Sequence, residues 1–474
     1  MNAYLKQYIN GKWVDSIGGQ AYTVVNPATE QACTEITLGT SADVDAAVSA
    51  SRRAFESFSI STKEERIALL ERVVAEYQKR APEIAAAIST EMGCPISVST
   101  TAQVGSGIGH FMSAIESLKL FEFEEQVGEN KVLHEPIGVV ALITPWNWPM
   151  NQIVAKVAPA LAAGTTMILK PSEECPGSAA IFAEVMDAAG VPAGVFNLIQ
   201  GDGPNVGTAL AQHPDIDMIS ITGSTRAGVL VAKNAADTVK RVTQELGGKS
   251  PNIILEGAPL DQALPAGLGG VCLNSGQSCI APARVLVHKS QHDEAVKIAA
   301  DFMNNLSVGD PQQEGQHLGP VVNKSQWNKI QNLIQKGIDE GATLAAGGPG
   351  LPDNVDQGFF VKPTVFSNVS NQMAIAREEI FGPVITIIPY QDDEDAIRIA
   401  NDTVYGLSAV ICGDPVKANA MARRIRAGQV YINAGTPDPT MPFGGYKQSG
   451  NGREFGKWGI SEFMEVKSLI GTVM

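Results

Sequence analysis

Four short apolar runs, at 137–143, 165–169, 195–199 and 216–221, alternate with segments of helical periodicity near 151–162, 177–189, 204–212 and 225–236. An apolar run without polar alternation suits a strand covered on both faces, and the intervening helices supply the cover. Strand and helix repeating in this order build a parallel sheet with right-handed crossovers. The expected class is α/β, with a Rossmann-like, doubly wound domain.

Ligands of such sheets bind beyond the carboxyl ends of the strands, where loops and helix N-termini converge. The loops at those ends carry Trp146 and Asn147, then residues 170–173, 201–207 and 222–225. A dinucleotide crevice is expected along this edge. Gly201, Gly203 and Gly207 spell GxGxxxG, not GxGxxG, and are weak as a fingerprint on their own.

Around this core, residues 1–40 read as short extended segments. Helices are expected from Ser41, from Thr62 to about Lys79, from Pro82 to near Gly93, and over 102–119. Residues 121–134, with a turn at Gly128, Glu129 and Asn130, read as a projecting hairpin. After Gly248 a second α/β region begins. Its strands are expected at 252–255, 284–288, 359–366, 383–389, 407–411 and 429–432, and its helices near 291–305, 325–340, 394–402 and 415–426.

A chain of 474 residues holds two or three domains of this kind. The formal charge of -15 repels phosphate backbones and argues against nucleic acid as a partner. No run of about 18 apolar residues offers a membrane span, and Met1 to Asn10 lacks the pattern of a signal peptide. The six cysteines show neither zinc-site spacing nor a disulfide framework, so no metal is expected and a reducing cytoplasm is the expected location.

One cysteine stands in special company. Cys279 follows Asn274, Ser275, Gly276, Gln277 and Ser278, a loop able to present a thiol. Thiol attack on a carbonyl needs a base and donors for the oxyanion. Glu245, ahead of Gly247 and Gly248, is the candidate base, and the Asn147 side chain is the candidate donor. Taken singly, a free cysteine is more often a small core hydrophobe, the glutamate a solvated loop residue and the tryptophan-rich turn a packed corner.

Taken together and in order, the motifs at 145–149, 170–173, 222–225, 245–249, 274–279, 379–383 and 442–447 resemble those of the aldehyde dehydrogenase superfamily, over essentially the whole chain. The resemblance implies an NAD-binding domain over 1–117 and 137–247, a catalytic domain over 248–448, and a small β oligomerisation element from 118–136 and 462–474. It implies catalysis by Cys279, Glu245 and Asn147, with Lys156 supporting their network. Cofactor contacts fall on Thr144, Trp146, Lys170, Ser172, Glu173, Gly203, Gly223, Ser224, Leu246, Glu379 and Phe381. Of these, Gly223 and Ser224 take phosphate, Lys170 and Glu173 the adenosine ribose, and Glu379 the nicotinamide ribose. An acid at position 173 favours NAD, while Ser172 and Lys170 are compatible with NADP.

The family resemblance also implies a free acid as product, since relatives that release acyl-CoA lack a carboxylate at the position of Glu245. Substrate contacts are expected from Trp148, Met150, Ile153, Leu273, Ile280, Met441 and Phe443. Lys156 is the one basic residue in the segments 146–156, 272–281 and 434–443. Leu273 and Ala155 stand where relatives acting on semialdehydes tend to carry arginine. A medium- to long-chain aliphatic aldehyde is therefore the expected substrate, with an aromatic aldehyde or a semialdehyde as the alternative. A non-redox thiol hydrolase and a non-catalytic binding protein are the readings from other classes. A homodimer or homotetramer is expected.

Overall fold

The structure, a computed structural model, describes residues 1–433 and 435–471. Its first large sheet runs, in spatial order, Gly450–Asn451, Arg241–Glu245, Met218–Thr222, Val139–Ile143, Thr166–Lys170, Phe196–Leu198, Lys6–Ile9 and Lys12–Asp15. The five central strands are parallel, and the outer ones at both sides are antiparallel. Val139–Ile143 and Thr166–Lys170 are buried at every position, as the continuous apolar runs require.

The second sheet orders Thr343–Ala346, Thr364–Ser367, Val384–Tyr390, Arg284–His288, Pro251–Ile254, Ser408–Cys412 and Gln429–Ile432, with only the first strand antiparallel. The chain passes from one sheet to the other between Glu245 and Pro251. Gly450–Asn451 then returns to pair with Gln244 and Glu245. A third sheet joins Glu124–Val127, Asn130–Pro136 and Met464–Leu469, so the projecting hairpin does meet the C-terminal strand. Residues 472–474 of the expected oligomerisation element, and Ala434 of the expected tunnel segment, lie outside the described residues. Among the described residues no helix is long and apolar enough to cross a membrane.

The expected break at Pro82 is absent: Lys63–Met92 is one helix with Pro82 inside it. Proline forfeits one intrahelical bond, but Leu69, Leu70, Val73, Tyr77, Ile84 and Ile88 form one buried stripe across it, and that packing holds the helix together. The strand expected at 359–366 is confined to Thr364–Ser367, and a helix at Leu260–Cys272, hidden by its glycines, was not expected.

Arg66 fixes the long helix to the helix Pro149–Ala163, which carries Lys156. Its buried guanidinium donates to the carbonyls of Ala163 (2.9 Å) and Ala162 (3.3 Å), among the free C-terminal carbonyls of that helix, and to those of Ser59 and Ser61. Gly164, at φ +88°, is necessarily small, since a Cβ there would lie 2.5 Å from the guanidinium. Arg66→Met strands these buried acceptors and is expected to cost about 3 kcal/mol, read as a lower urea midpoint with an unchanged slope.

Candidate active site

The loop that carries Cys279 is forced into an unusual path. Asn274, Ser275 and Gly276 are consecutive left-handed residues, at φ 56°, 55° and 79°. Side-chain bonds hold it there: Gln277 Nε2 donates to the Asn274 carbonyl (3.1 Å), Ser275 Oγ to that of Gly319 (2.8 Å), and the Val322 amide to Gln277 Oε1 (2.9 Å). Gly276 touches backbone directly, and a Cβ would stand 2.1 Å from the Gly382 carbonyl. Cys279 emerges partly exposed. Burial, then the charges of Glu379 and Glu245, push its thiol pKa well up.

Asn147 comes from the first domain and locks onto this loop. Its Nδ2 donates to the Gln277 carbonyl (3.0 Å), leaving its second N–H free of that bond, while its own carbonyl accepts from Asn274 Nδ2 (2.8 Å) and Gln103 Nε2 (3.0 Å). Trp148 Nε1 donates to Ser278 Oγ at 2.7 Å. Burial, then the nearby Cys279, raises the pKa of Tyr431, a residue of the second sheet.

Glu245 ends its strand and is 4% exposed, with neither carboxylate oxygen bonded among the described residues. Burial, then Glu454, raises its pKa well above the usual carboxylate range, against the pull of Lys156 and Arg453. Gly444 gives it room, since a Cβ there would stand 2.7 Å from Oε1. Lys156 does not meet Glu245 by hydrogen bond. It donates to Glu454 Oε1 (2.5 Å) and Ser220 Oγ (2.9 Å). Glu454 and Ser220 escaped the sequence reading, as did Gln103 and Tyr431; no local motif marks them.

The expected cofactor residues gather at the carboxyl ends of the first sheet. Lys170 is buried, donates to the carbonyls of Gly201 (2.5 Å) and Pro171 (2.7 Å), and reaches Glu173 at 3.5 Å; burial lowers its pKa. Ser172, beside it, accepts from the Glu174 amide. Ser224 caps the helix Thr225–Ala235 by accepting from Ala227 N, and a Cβ on Gly223 would meet nothing closer than 3.8 Å. Gly203 is equally open. Thr144 is buried with its hydroxyl unpartnered, and Leu246 is buried against Gly228. Across the cleft Trp146 meets Phe381 edge-on at 5.5 Å, and Glu379 accepts from the Gly248 amide at 2.8 Å.

The expected substrate residues divide. Trp148, bonded to Ser278, and Ile280, next in sequence to Cys279, are half-buried, Leu273 and Met441 are exposed, and Phe443 stacks on Phe455 at 4.9 Å. Met150 and Ile153 are a correction. At 0% and 1% exposure they pack into the main core of the first domain, because their face of the helix turns inwards. Neither offers surface to a tunnel.

The model of the aldehyde dehydrogenase family matches residues 13–469. A relative named 3-succinoylsemialdehyde-pyridine dehydrogenase, from Pseudomonas sp, is 51% identical over 473 residues, 99% of each chain. Among solved structures, a mutant of aldehyde dehydrogenase C from Pseudomonas syringae, complexed with NAD+ and octanal, has a TM-score of 0.98 at 50% identity, covering 99% of this chain and 97% of that one. Aldehyde dehydrogenase from Bartonella henselae has a TM-score of 0.97 at 47% identity, covering 99% of both chains. With that likeness added to the geometry, the chain belongs to the aldehyde dehydrogenase family: it is an oxidoreductase acting on aldehydes.

Proposed function

We propose that this chain uses NAD to oxidise an uncharged aldehyde with an apolar tail to its carboxylic acid, through a covalent adduct on Cys279. The observation that carries the reading is the convergence of a partly exposed thiol, the anchored Asn147 amide and the buried Glu245 carboxylate. NAD suits the first-sheet edge. Gly223 leaves a helix N-terminus open to phosphate, the buried Thr144 and Thr222 hydroxyls lack partners, and Lys170 with Glu173 suits a ribose. Similar proteins were solved with NAD+.

Cys279 Sγ adds to the carbonyl carbon, its proton passing to Glu245. The oxyanion takes bonds from the free Asn147 amide N–H and the Cys279 backbone N–H. Bound NAD supplies the hydride acceptor through which the adduct becomes a thioester. Glu245 sheds the thiol proton to solvent, then draws a proton from the water that attacks the thioester and returns it to the departing Cys279 Sγ, releasing the acid. Lys156, bonded to Glu454 and Ser220, is a positioning residue that tempers the charge around Glu245.

A carboxylate on the substrate would find no clamp, because the Lys156 amine is already engaged by Glu454. Trp148, Ile280 and Phe443 remain for an apolar tail, at about 0.8 kcal/mol for each buried methylene. The relative solved with octanal supports an aliphatic chain. An aryl semialdehyde is the second reading, favoured by the name of the 51% identical relative and by the loss of Met150 and Ile153 from the lining. A homodimer or homotetramer goes with the reading, since Glu124–Val127 and Met464–Leu469 are the outer strands of their sheet.

NADH absorbance tests the chemistry. Cys279→Ala is expected to form none with any aldehyde, and Asn147→Ala to lose about a hundredfold in kcat. If kcat/KM fails to rise along a series of unbranched aldehydes from two to about ten carbons, the aliphatic reading goes and the aryl reading stands.

Glu245→Gln separates base from structure. Activity is expected to fall about a hundredfold or more. A raised carboxylate pKa contributes stability at low pH that is lost as pH rises through that value. The Gln variant is therefore expected to melt above the wild type at about pH 8 and to lose the advantage towards pH 5.

A further inference from the structure

Lys249 stands just ahead of the strand Pro251–Ile254 and is 3% exposed. Its Nζ makes no hydrogen bond among the described residues. The residue borders a cavity of about 10 Å³, walled also by Ala400, Thr403, Leu407, Ser408 and Arg426. That volume suits one water or one monatomic ion and excludes anything larger. A buried ammonium brings three donors and a charge, and both call for an answer from this space.

The walls do not supply it. The Ser250 and Ser408 hydroxyls bond each other at 2.8 Å, and Ser408 Oγ donates onward to the Ile280 carbonyl at 3.3 Å. The Ala400 carbonyl accepts from Arg284 Nη2 (2.8 Å), and that of Thr403 from Lys447 Nζ (3.1 Å). The carbonyls of Gly406 and Leu407 both accept from the Gly428 amide at 3.1 Å. With these acceptors engaged, the amine is left to whatever occupies the cavity.

The surroundings are positive, in a chain whose formal charge is -15. Arg284 is fully buried behind Ala400, Arg426 lies in the wall and over the Tyr446 ring, and Lys447 bonds the Asn401 and Thr403 carbonyls. Lys329 adds to their field at Lys249. Of the acids nearby, Glu379 is held by the Gly248 amide, Glu378 is paired with Lys336, and Asp402 is bonded by Arg377, Asn371 and Gln372. Tyr405, also at the cavity, is kept a neutral phenol by burial and by Glu379. Burial, then Arg284, brings the Lys249 pKa down to about 7, with Glu379 pulling the other way. A water would take one N–H and leave the charge unanswered, whereas an anion answers both.

We infer that this cavity is a halide site, in which one chloride is bound by the Lys249 ammonium within the positive field of Arg284 and Arg426. The inference is independent of the aldehyde chemistry and stands or falls without it. Chloride fits where sulfate, phosphate and carboxylates do not, because the space is that of a single small sphere. Only the ammonium can hold it, so proton and chloride enter together. Below about pH 7 the folded chain bears the cost of a buried charge, which chloride relieves; above it the amine is neutral and chloride has nothing to hold.

Two measurements on the full chain test it. Crystals soaked in sodium bromide are expected to show, at the bromine absorption edge, an anomalous peak against Lys249 Nζ. Bromide on the surface alone, or an ordered water alone in the cavity, overturns the inference. In solution, about 0.2 M sodium chloride in place of sodium gluconate at equal ionic strength is expected to raise the melting temperature by roughly 2 °C at about pH 6 and by nothing measurable at about pH 9. Lys249→Met, which removes the charge and keeps the length, is expected to abolish the chloride increment. An increment equal at both pH values, or one that survives in Lys249→Met, is general salt action and overturns the inference. Should Lys249→Met fold poorly, the bromide peak and the wild-type pH dependence decide.

Discussion

The left-handed run Asn274, Ser275, Gly276 is the constraint on which the site depends. Two non-glycine residues in that region are unfavourable, and they persist because Gln277, Ser275 and Asn274 are each tied by side-chain bonds, while Gly276 lies against Gly382 and Pro383 with no space for a Cβ. Relaxing any one of those ties would swing Cys279 relative to Asn147. The bond from Asn147 Nδ2 to the Gln277 carbonyl then makes the proposed oxyanion donor and the proposed nucleophile a single unit, although they come from different sheets. The two large sheets thus meet through the groups proposed for catalysis, not merely beside them.

Electrostatics complete the same arrangement. Glu245 and Cys279 both hold their protons more tightly than in water, because both are desolvated and each faces further acids. A base with a raised pKa takes a proton more readily once it is ionised. Glu454, paired with Lys156, lines the same cavity as Glu245, so the pair moderates the field there without bonding the proposed base.

Much of this was legible in the sequence, for definite reasons. The fully buried strands at Val139–Ile143 and Thr166–Lys170 write themselves as unbroken apolar runs, and the loops after them carry motifs that can be read locally. Cys279, Glu245 and Asn147 are visible in that way. Glu454 is not, because its meaning comes from Lys156, 298 residues away. The unpaired amine of Lys249 is invisible for a like reason: it is a property of packing. Met150 and Ile153 misled because apolar residues near a nucleophile look alike in sequence whether they line a tunnel or fill a core. Pro82 misled because a local helix-breaking rule gave way to a buried stripe on both sides of it.

The pairing of Gly450–Asn451 with Gln244 and Glu245 has a temporal consequence. On the ribosome, the first domain's strands up to residue 245 emerge well before this edge strand, and the whole second sheet is synthesised in between. The nascent first domain therefore waits with its outermost parallel strand bare and its Lys156 without Glu454. Edge closure and the assembly of the charged network are the same late event, so an incompletely synthesised chain exposes a sticky strand and has no working base environment.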